Sequence, residues 1–328
     1  MTNRLELLSA IADVLRNAGS VALCGHIMPD GDSLGSVLAL GLALRRMGKR
    51  VQLLSPDPLP DQYLNLLPGA AEIQLELQGE WPEVLVALDC SDPERLGRFA
   101  PLLNSFNTVV IIDHHAGGID FGHFYLNDAQ SPATGELVYE LLRALPADID
   151  AAIALCIYVS INTDTGAFRY GLVRPATHRI IAALMETGID TGWINRQLYE
   201  EQPLVSLQVL SEALKTLTVS SCGRLASMYI ARETLNRLNA RDEHADGVIS
   251  YPRTIKGVEL AMFFRELADG KWKVSFRSKY FLDVNKLASQ FGGGGHYRAS
   301  GCTVEGKLAD VRRQVTEAAL AALENEQK

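Results

Sequence analysis

Three apolar runs in the first half of the chain each end in side chains that can bind a cation. The first begins at Val21 and ends in Gly25, and the others are Glu83–Leu88 and Thr108–Ile112. The polar residues that follow these runs are His26, Asp30 and Asp32, then Asp89, then Asp113, His114 and His115. Helical stretches of about a dozen residues separate the runs, which favours an α/β fold with a parallel sheet. Because the carboxyl ends of parallel strands lie side by side, we expect these polar residues in one cleft.

The loop from His26 to Asp32 offers both nitrogen and oxygen ligands, a mixture that suits Mn(II), Co(II) or Zn(II). Pro29 and Gly31 interrupt the helical and strand periods, so the side chains of His26, Asp30 and Asp32 can converge. The alternative is an ordinary turn whose carboxylates only cap the following helix. The other acidic segments favour the metal site, since they supply the further ligands that such an ion needs.

A fourth segment adds another acid. The sequence predicts a very apolar helix from Asp150 to about Ile161, and Asp164 follows it closely. A charge beside a buried helix is costly unless it is paired or bound to metal, so Asp164 is a further candidate for the cleft. Phe168 and Tyr170 come next and could stack on a nucleobase, although aromatic residues in such a place more often belong to the core.

The composition limits the partners of this chain. It has 328 residues, of which 47% are hydrophobic, and a formal net charge of −8. A net negative charge disfavours non-specific binding to nucleic acid, so nucleotides would bind through a local basic patch and through metal. No apolar run reaches the roughly 18 residues of a membrane span, and the N-terminus does not look like a signal peptide. Five widely spaced cysteines indicate free thiols in a reducing compartment. We therefore expect a cytoplasmic protein that contacts neither membranes nor long duplex nucleic acid.

The last third of the chain has a different pattern, with short alternating strands and a run of four glycines before His296. The backbone N–H groups of such a run could cradle an anion, although a flexible hairpin is the commoner use. Residues 271–298 contain six lysine or arginine residues and one acidic residue. We expect contacts to an anionic ligand from Arg277, Ser278, Gly294, Gly295, His296 and Arg298, with Asn285 as a further candidate.

These motifs together resemble the DHH/DHHA1 phosphoesterase superfamily. The segments that carry the resemblance are His26-x-x-Pro-Asp30-Gly-Asp32-x-x-Gly-Ser36, Asp89, Asp113-His114-His115, Asp164 and Gly293-Gly294-Gly295-His296-x-x-Ala-Ser-Gly301. They span the chain in the order that the family uses, and Met28 stands where the family usually has a polar residue. The resemblance implies an N-terminal parallel-sheet DHH domain over residues 1–190, a helical linker over 191–217 and a smaller α/β DHHA1 domain over 218–328.

The resemblance also implies two divalent metal ions, with Mn(II) preferred. It assigns His26, Asp30 and Asp89 to one ion, and Asp32, Asp89, His114 and Asp164 to the other, so that Asp89 bridges the two. Such a pair of ions lowers the pKa of a water that attacks phosphorus and stabilises the phosphoryl charge. We expect Asp113 to orient His114 by a hydrogen bond and His115 to donate to the phosphate or to the leaving oxygen.

The implied activity is hydrolysis of short oligoribonucleotides such as pApA to mononucleotides, and of 3′-phosphoadenosine-5′-phosphate (pAp) to AMP. The small cytosolic branch of the superfamily, the nanoRNase or oligoribonuclease type, has both activities. The second domain would bind the far end of the nucleotide, which predicts a preference for di- to about pentanucleotides over long RNA. The alternatives are a pyrophosphatase-like hydrolase, a cyclic-dinucleotide phosphodiesterase and a non-catalytic nucleotide sensor. The sequence leaves open whether the protein is a monomer or a homodimer.

Overall fold

The computed structural model describes residues 4–145, 147–170 and 172–325, with the backbone alone at His296. The chain forms two compact units, Met1–Glu200 and Glu201–Lys328. The boundary falls inside the predicted linker over 191–217, so one linker helix belongs to each unit.

The first unit alternates helices and strands, as the sequence predicts. Its helices are α1 (Arg4–Asn17), α2 (Gly31–Arg46), α3 (Asp61–Leu66), α4 (Thr134–Ala144), α5 (Ala151–Asp164), α6 (Pro175–Glu186) and α7 (Thr191–Tyr199). Its strands are β1 (Ser20–Cys24), β2 (Arg50–Leu54), β3 (Val84–Leu88), β4 (Thr108–Asp113) and β5 (Phe124–Asn127). Two segments, Ala70–Glu72 and Pro93–Ser105, adopt 3-10 conformation.

The strands of the first unit form a parallel sheet in the order β2-β1-β3-β4-β5 within the described residues. Cys24 pairs with Ala87, Leu88 with Ile112 and Asp113 with Asn127. The carboxyl ends of β1, β3 and β4 therefore meet at one edge of the sheet, which confirms the predicted parallel α/β fold. Strand β5 was not predicted, because it is short and only partly buried and so lacks a continuous apolar run.

Helices α2 and α5 pack very closely against each other. A Cβ atom at Gly35 would lie 2.4 Å from the backbone oxygen of Cys156 and 3.0 Å from the Cβ of Ser160. Only glycine permits this approach. Helix α5 runs three residues beyond its predicted end, to Asp164, so the first turn of α2 and the last turn of α5 each carry an acid, Asp32 and Asp164.

The second unit is built on a mixed sheet. Its strands are β6 (Thr218–Val219), β7 (Leu225–Ile230), β8 (Leu260–Glu266), β9 (Trp272–Ser278), β10 (Gly294–His296) and β11 (Ala299–Val304). Its helices are α8 (Leu204–Leu214), α9 (Arg232–Arg237), α10 (Ser250–Arg253), α11 (Val284–Ser289) and α12 (Leu308–Asn325). In the described part of the chain the strand order is β10-β11-β9-β8-β7-β6, with β7 and β8 parallel and the other pairs antiparallel.

Both faces of this second sheet carry apolar side chains. Met262, Phe264 and Phe276 pack on one face with residues of α11 and α12. Ala261 and Phe263 pack on the other face with residues of α8 and α9. The alternation along β8 is the one expected of a strand covered on both sides. Among the residues that the structure describes, no helix is both long and apolar enough to cross a membrane.

Candidate active site

The loop after β1 and the residue after β3 meet in a first group of candidate ligands. The Nε2 atom of His26 lies 3.3 Å from Oδ2 of Asp89 and 3.8 Å from Oδ1 of Asp30. His26 and Asp89 are buried, whereas the side chain of Asp30 is 53% exposed. Asp30 also caps α2, since its Oδ1 accepts the backbone N–H groups of Asp32 and Ser33 at 3.1 Å. Asp30 thus both caps α2 and belongs to the predicted cluster, so the two alternatives considered for this loop are compatible.

A second group forms around His114, which follows β4. Its Nε2 lies 3.4 Å from Oδ2 of Asp164, 3.5 Å from Oδ2 of Asp32 and 3.6 Å from Oδ1 of Asp89. These four residues come from four different elements of the fold. The sheet edge brings β3 and β4 together, and the close packing of α2 and α5 brings the other two acids.

Asp89 lies between the two groups. Its Oδ2 faces His26, while its Oδ1 faces His114 at 3.6 Å and accepts a hydrogen bond from the Thr134 hydroxyl at 3.1 Å. Its backbone has a φ of +57°, a conformation that costs a non-glycine residue roughly 1–2 kcal/mol. The backbone N–H of Asp89 donates to the Ile112 oxygen at 2.9 Å, which helps to hold this turn. Strain of this kind is typical of functional sites.

Both histidines are oriented by backbone carbonyls. Nδ1 of His26 donates to the oxygen of Ile27 at 2.7 Å, and Nδ1 of His114 donates to the oxygen of Ser131 at 3.0 Å, since a carbonyl can only accept. The Nε2 atoms are then the ones directed at the carboxylates. Ligand atoms about 2.0–2.2 Å from a shared ion lie roughly 3–3.5 Å from one another, close to the spacings observed here. The donor set of imidazole nitrogens and carboxylate oxygens therefore fits a divalent transition metal.

The electrostatics of the cluster also favour a cation. Burial, together with the nearby charge of Asp89, raises the pKa of Asp32 well above its usual value, and burial raises that of Asp164 to about 6. Burial would lower the pKa of both histidines, but Asp89 and Asp30 raise that of His26 to about 9. The charges of Asp164, Asp32 and Asp89 raise the pKa of His114 to about 10. The carboxyl groups of Asp32 and Asp164 thus hold a proton more tightly than free carboxyl groups do, and a bound divalent ion would compete with that proton.

Asp32 is held in place by Ser36 of the first motif and by three residues that the sequence did not single out. Its oxygens accept the backbone N–H groups of Thr134 at 2.8 Å and Gly135 at 3.1 Å, at the N-terminus of α4. The hydroxyls of Ser36, at 3.3 Å, and Ser160 also donate to Oδ1. A helix N-terminus stabilises a carboxylate through its unpaired N–H groups and its dipole. Nothing in the sequence pattern indicated which acid the N-terminus of α4 would contact.

Among the described residues, the hydrogen bonds found for the Asp113 carboxylate go to His115 and Asn127, whereas Nδ1 of His114 bonds the oxygen of Ser131, so the expected partner was wrong. Oδ1 of Asp113 accepts from Nδ1 of His115 at 2.6 Å, and Oδ2 accepts from Nδ2 of Asn127 at 3.3 Å. The two imidazoles follow each other in sequence and diverge. His114 turns to the carbonyl of Ser131, which leaves the buried carboxylate to His115. Asp113 is thus a positioning residue, and Asn127 supports it from the unpredicted strand β5.

In the second unit, Arg277 and Ser278, which the sequence predicts to contact an anion, are neighbours at the end of β9. Arg277 is half-buried on β9 beside Ala299 of β11, and its Nη1 donates to the oxygen of Phe276 at 3.0 Å. The Oγ atom of Ser278 is buried and has no hydrogen-bond partner among the described residues. Arg298 donates to the oxygens of Lys279 at 2.6 Å and Tyr280 at 2.8 Å, so this guanidinium also braces the loop after β9.

The glycine run links α11 to the hairpin of β10 and β11. The N–H of Gly293 donates to the oxygen of Ala288 at 3.0 Å, and a Cβ at Gly293 would lie 2.2 Å from the oxygen of Gly301. Gly295 has a φ of +143°. The run is therefore part of an ordered turn and strand, with Gly294 and Gly295 in the edge strand β10. The side chain of His296 lies outside the described residues.

Two family models match this chain. The DHH family, N-terminal domain, matches residues 20–161, and the DHHA1 domain matches residues 224–326. The chain belongs to the DHH/DHHA1 family of hydrolytic phosphoesterases.

The DHH match includes the ligand candidates of the first unit except Asp164, which lies three residues beyond it. The geometry places Asp164 in the cluster all the same, 3.4 Å from His114. The DHHA1 match includes Arg277, Ser278, Arg298 and the glycine run.

Related proteins cover nearly the whole chain. A bifunctional oligoribonuclease and PAP phosphatase, NrnA of Thermus thermophilus, is 29% identical over 98% of this chain and 94% of its own length. The crystal structure of an exopolyphosphatase-related protein from Bacteroides fragilis has a TM-score of 0.88 at 27% identity, and covers 98% of this chain and 96% of that one. RecJ of Thermus thermophilus, solved in complex with Mn²⁺, has a TM-score of 0.55 at 14% identity and covers 96% of this chain and 55% of its own, a likeness of fold.

Phe168 and Tyr170 follow Asp164, the last ligand candidate of the first unit. Phe168 has a φ of +62°, and its half-buried ring packs 6.2 Å from that of Tyr158 and 5.6 Å from that of His178. These contacts attach Phe168 to the core of the unit. Stacking of either aromatic ring on a base stays a prediction.

Proposed function

We propose that this protein is a metal-dependent phosphoesterase that hydrolyses short oligoribonucleotides such as pApA to mononucleotides and pAp to AMP. One observation carries the proposal: His26, Asp30, Asp32, Asp89, His114 and Asp164 converge in a chain that aligns over 98% of its length with the Thermus thermophilus NrnA. That relative is named a bifunctional oligoribonuclease and PAP phosphatase.

We further propose that the cluster binds two divalent ions, Mn(II) by preference, with Asp89 as the bridge. The support is that His26, Asp30 and Asp89 form one compact group and Asp32, His114 and Asp164 another. The two oxygens of Asp89 face different groups, as a bridging carboxylate requires. Two bound ions would acidify a water molecule and stabilise negative charge on the phosphoryl oxygens.

The chain itself contributes orientation and a proton donor. The buried Asp113 carboxylate accepts from Nδ1 of His115 and fixes the plane of that ring. We assign to Nε2 of His115 the donation of a hydrogen bond or a proton to the phosphate or to the leaving oxygen. Thr134 and the N-terminus of α4 hold Asp89 and Asp32 and prevent their carboxylates from turning away.

We assign binding of substrate phosphate to the DHHA1 unit, through Arg277, Ser278, Gly294, Gly295, His296 and Arg298. The basic character of residues 271–298 and the buried hydroxyl of Ser278 support this role. A planar guanidinium suits phosphate oxygens. A cytoplasmic location and a monomeric or homodimeric state are part of the proposal.

A substrate panel tests the activity. The purified chain with Mn(II) would be given pAp, pApA, a 5′-labelled 5-mer, a 50-mer, cyclic di-AMP and pyrophosphate, with Asp89→Asn as the inactive control. We expect kcat/KM for pAp, pApA and the 5-mer to exceed the others by at least about tenfold. Equal turnover of the 5-mer and the 50-mer would contradict the size preference.

The same substrate panel distinguishes the proposed activity from two other activities. Faster hydrolysis of pyrophosphate would identify a pyrophosphatase-like enzyme, and faster hydrolysis of cyclic than of linear dinucleotide would identify a cyclic-dinucleotide phosphodiesterase. The family relatives reported above favour neither. Binding of pAp without any turnover would indicate a nucleotide sensor.

A further inference from the structure

Arg95 is a positively charged residue near the candidate metal centre, and none of the roles proposed above involves it. It lies in the 3-10 segment Pro93–Ser105, six residues after Asp89. Its Nε atom is buried and has no hydrogen-bond partner within the described residues. Arg174 and Arg232 also bury Nε, but each forms an ion pair, with Glu136 and with Asp242. No salt bridge of Arg95 is found in the described part of the chain.

The segment that carries Arg95 is attached to the ligand loop after β1. The backbone oxygen of Arg95 accepts the N–H of Ile27, the neighbour of His26, at 2.7 Å. A Cβ at Gly97 would lie 2.8 Å from Cγ2 of Ile27, so the two segments are in close contact. These contacts place the backbone of Arg95 beside the loop that carries His26.

The charge of Arg95 reaches the cluster. Burial lowers the pKa of His26, the carboxylates of Asp89 and Asp30 raise it to about 9, and the positive charge of Arg95 opposes that rise. The same charge opposes the rise that burial causes in the pKa of Cys90, the residue after Asp89. These effects agree with the backbone contact between Arg95 and Ile27, which places this segment at the His26 side of the cluster.

A phosphate at this centre needs a positive group from the protein. The carboxylates of Asp30, Asp32, Asp89 and Asp164 balance the charge of two divalent ions, so a phosphoryl group adds uncompensated negative charge. An arginine fork donates two hydrogen bonds to phosphate oxygens and keeps its charge at any physiological pH. We infer that Arg95 binds a phosphoryl oxygen of the substrate at the His26 side of the metal centre, an inference that rests on the proposed function.

The experiment compares Arg95→Gln and Arg95→Lys with Arg98→Gln. Arg98 lies in the same segment, is exposed and makes only a 3.5 Å contact to the oxygen of Leu75 among the described residues, so it is a matched control. The measurements are kcat and KM for pAp with Mn(II), the rise in Tm caused by inorganic phosphate in the presence of Mn(II), and the affinity for Mn(II).

We expect Arg95→Gln to lower kcat/KM for pAp about 10- to 100-fold, the loss of a charged hydrogen bond, with Arg95→Lys in between and Arg98→Gln unchanged. The phosphate-dependent rise in Tm should shrink in Arg95→Gln. The affinity for Mn(II) should stay the same or increase, because a repelling cation has been removed. A structural role would instead displace His26 and weaken Mn(II) binding.

The two proposals fail in different ways. If the wild-type protein does not hydrolyse pAp, the proposed function fails, and the phosphate-dependent Tm still decides the role of Arg95. If the wild type is active and Arg95→Gln matches it in kcat/KM and in the response to phosphate, the inference about Arg95 is wrong and the function stands. Weakened Mn(II) binding in Arg95→Gln would also overturn the inference.

Discussion

The backbone N–H of Thr134 donates to Oδ2 of Asp32 at 2.8 Å, across 102 positions of the chain. The Thr134 hydroxyl donates to Oδ1 of Asp89 at 3.1 Å. One residue at the start of α4 thus holds a carboxylate from each half of the cluster. Its buried position keeps water from replacing either bond.

Removing the Thr134 hydroxyl should therefore impair the site without unfolding the protein. Thr134→Val keeps the shape and the backbone N–H but loses the bond to Asp89. A hydrogen bond to a charged group contributes roughly 1.5–3 kcal/mol, so we expect kcat/KM for pAp to fall about 10- to 100-fold. Thr134→Ser keeps the hydroxyl and should retain most activity. Equal activity of the valine and serine variants would show that this bond is unimportant.

The close contact of Gly35 with α5 leads to a second prediction, that a larger residue at this position lowers both stability and activity. In Gly35→Ala the new methyl group would lie 2.4 Å from the oxygen of Cys156, and backbone at this position cannot rotate away. We expect a loss of about 1–3 kcal/mol in the free energy of unfolding, measured in urea, despite the better helix propensity of alanine. Activity should also fall, because α2 and α5 carry Asp32 and Asp164.

Gly41→Ala is the matched control on the same helix. Its methyl group would meet Cδ2 of Leu53 at 2.4 Å and Cδ1 of Leu23 at 3.3 Å, which are ends of flexible side chains. A smaller loss of stability and normal activity are expected. If both variants are equally stable and equally active, close packing of α2 on α5 does not determine the site.

Metal binding should stabilise the folded protein. Because burial raises the pKa of Asp164 to about 6 and that of Asp32 well above its usual value, the metal-free cluster is poorly compensated. A cation that binds only the folded state adds about 2.7 kcal/mol at one hundred times its Kd. We expect Tm to rise with Mn(II) and to fall again with EDTA, measured by scanning calorimetry.

Asp89→Asn provides the test of the bridge. An amide offers one neutral oxygen in place of two charged ones, so this variant should lose most of the Mn(II)-dependent rise in Tm and all measurable turnover of pAp. Normal metal binding and turnover by Asp89→Asn would refute the bridging assignment. His123, which contacts the backbone of Val109 away from the ligands, offers a neutral comparison through His123→Gln.

Glu259 supports the loop that Arg298 braces. Its buried carboxylate accepts the backbone N–H groups of Tyr280, Phe281 and Leu282 at 2.9–3.1 Å. In Glu259→Gln one carboxylate oxygen is replaced by an NH₂ group, which cannot accept the backbone N–H groups of this loop. We therefore expect a loss of roughly 1–3 kcal/mol in the free energy of unfolding. KM for pAp should rise more than kcat falls, because the loop belongs to the proposed phosphate-binding region.

The exposed pair of Lys271 and Glu305 gives the control for this prediction. The side chain of Glu305 is 76% exposed, so Glu305→Gln should change stability and KM little. A drop in kcat with unchanged KM in Glu259→Gln would place the loop in the chemical step and not in binding.

Most of the first unit could be predicted from local pattern. The apolar runs that became β1 and β3 are buried along their length, and β4 is buried after Thr108. The periodicity of α1 and α2 is that of amphipathic and buried helices. Strand β5, α11 and β10 were missed because each is short and rich in polar residues or glycine. Their conformation depends on the neighbours with which they pair.

The sequence alone determined which residues could act as ligands and that they would follow parallel strands, because burial pattern and residue chemistry are local properties. The tertiary structure decided which atoms meet: Asp113 with His115, Thr134 with Asp32 and Asp89, and Asp164 with His114. Such pairings depend on how closely α2, α4 and α5 approach, and that distance is decided by packing between segments more than 100 positions apart. Arg95 became a candidate for the same reason, since its unpaired buried Nε exists only in the folded chain.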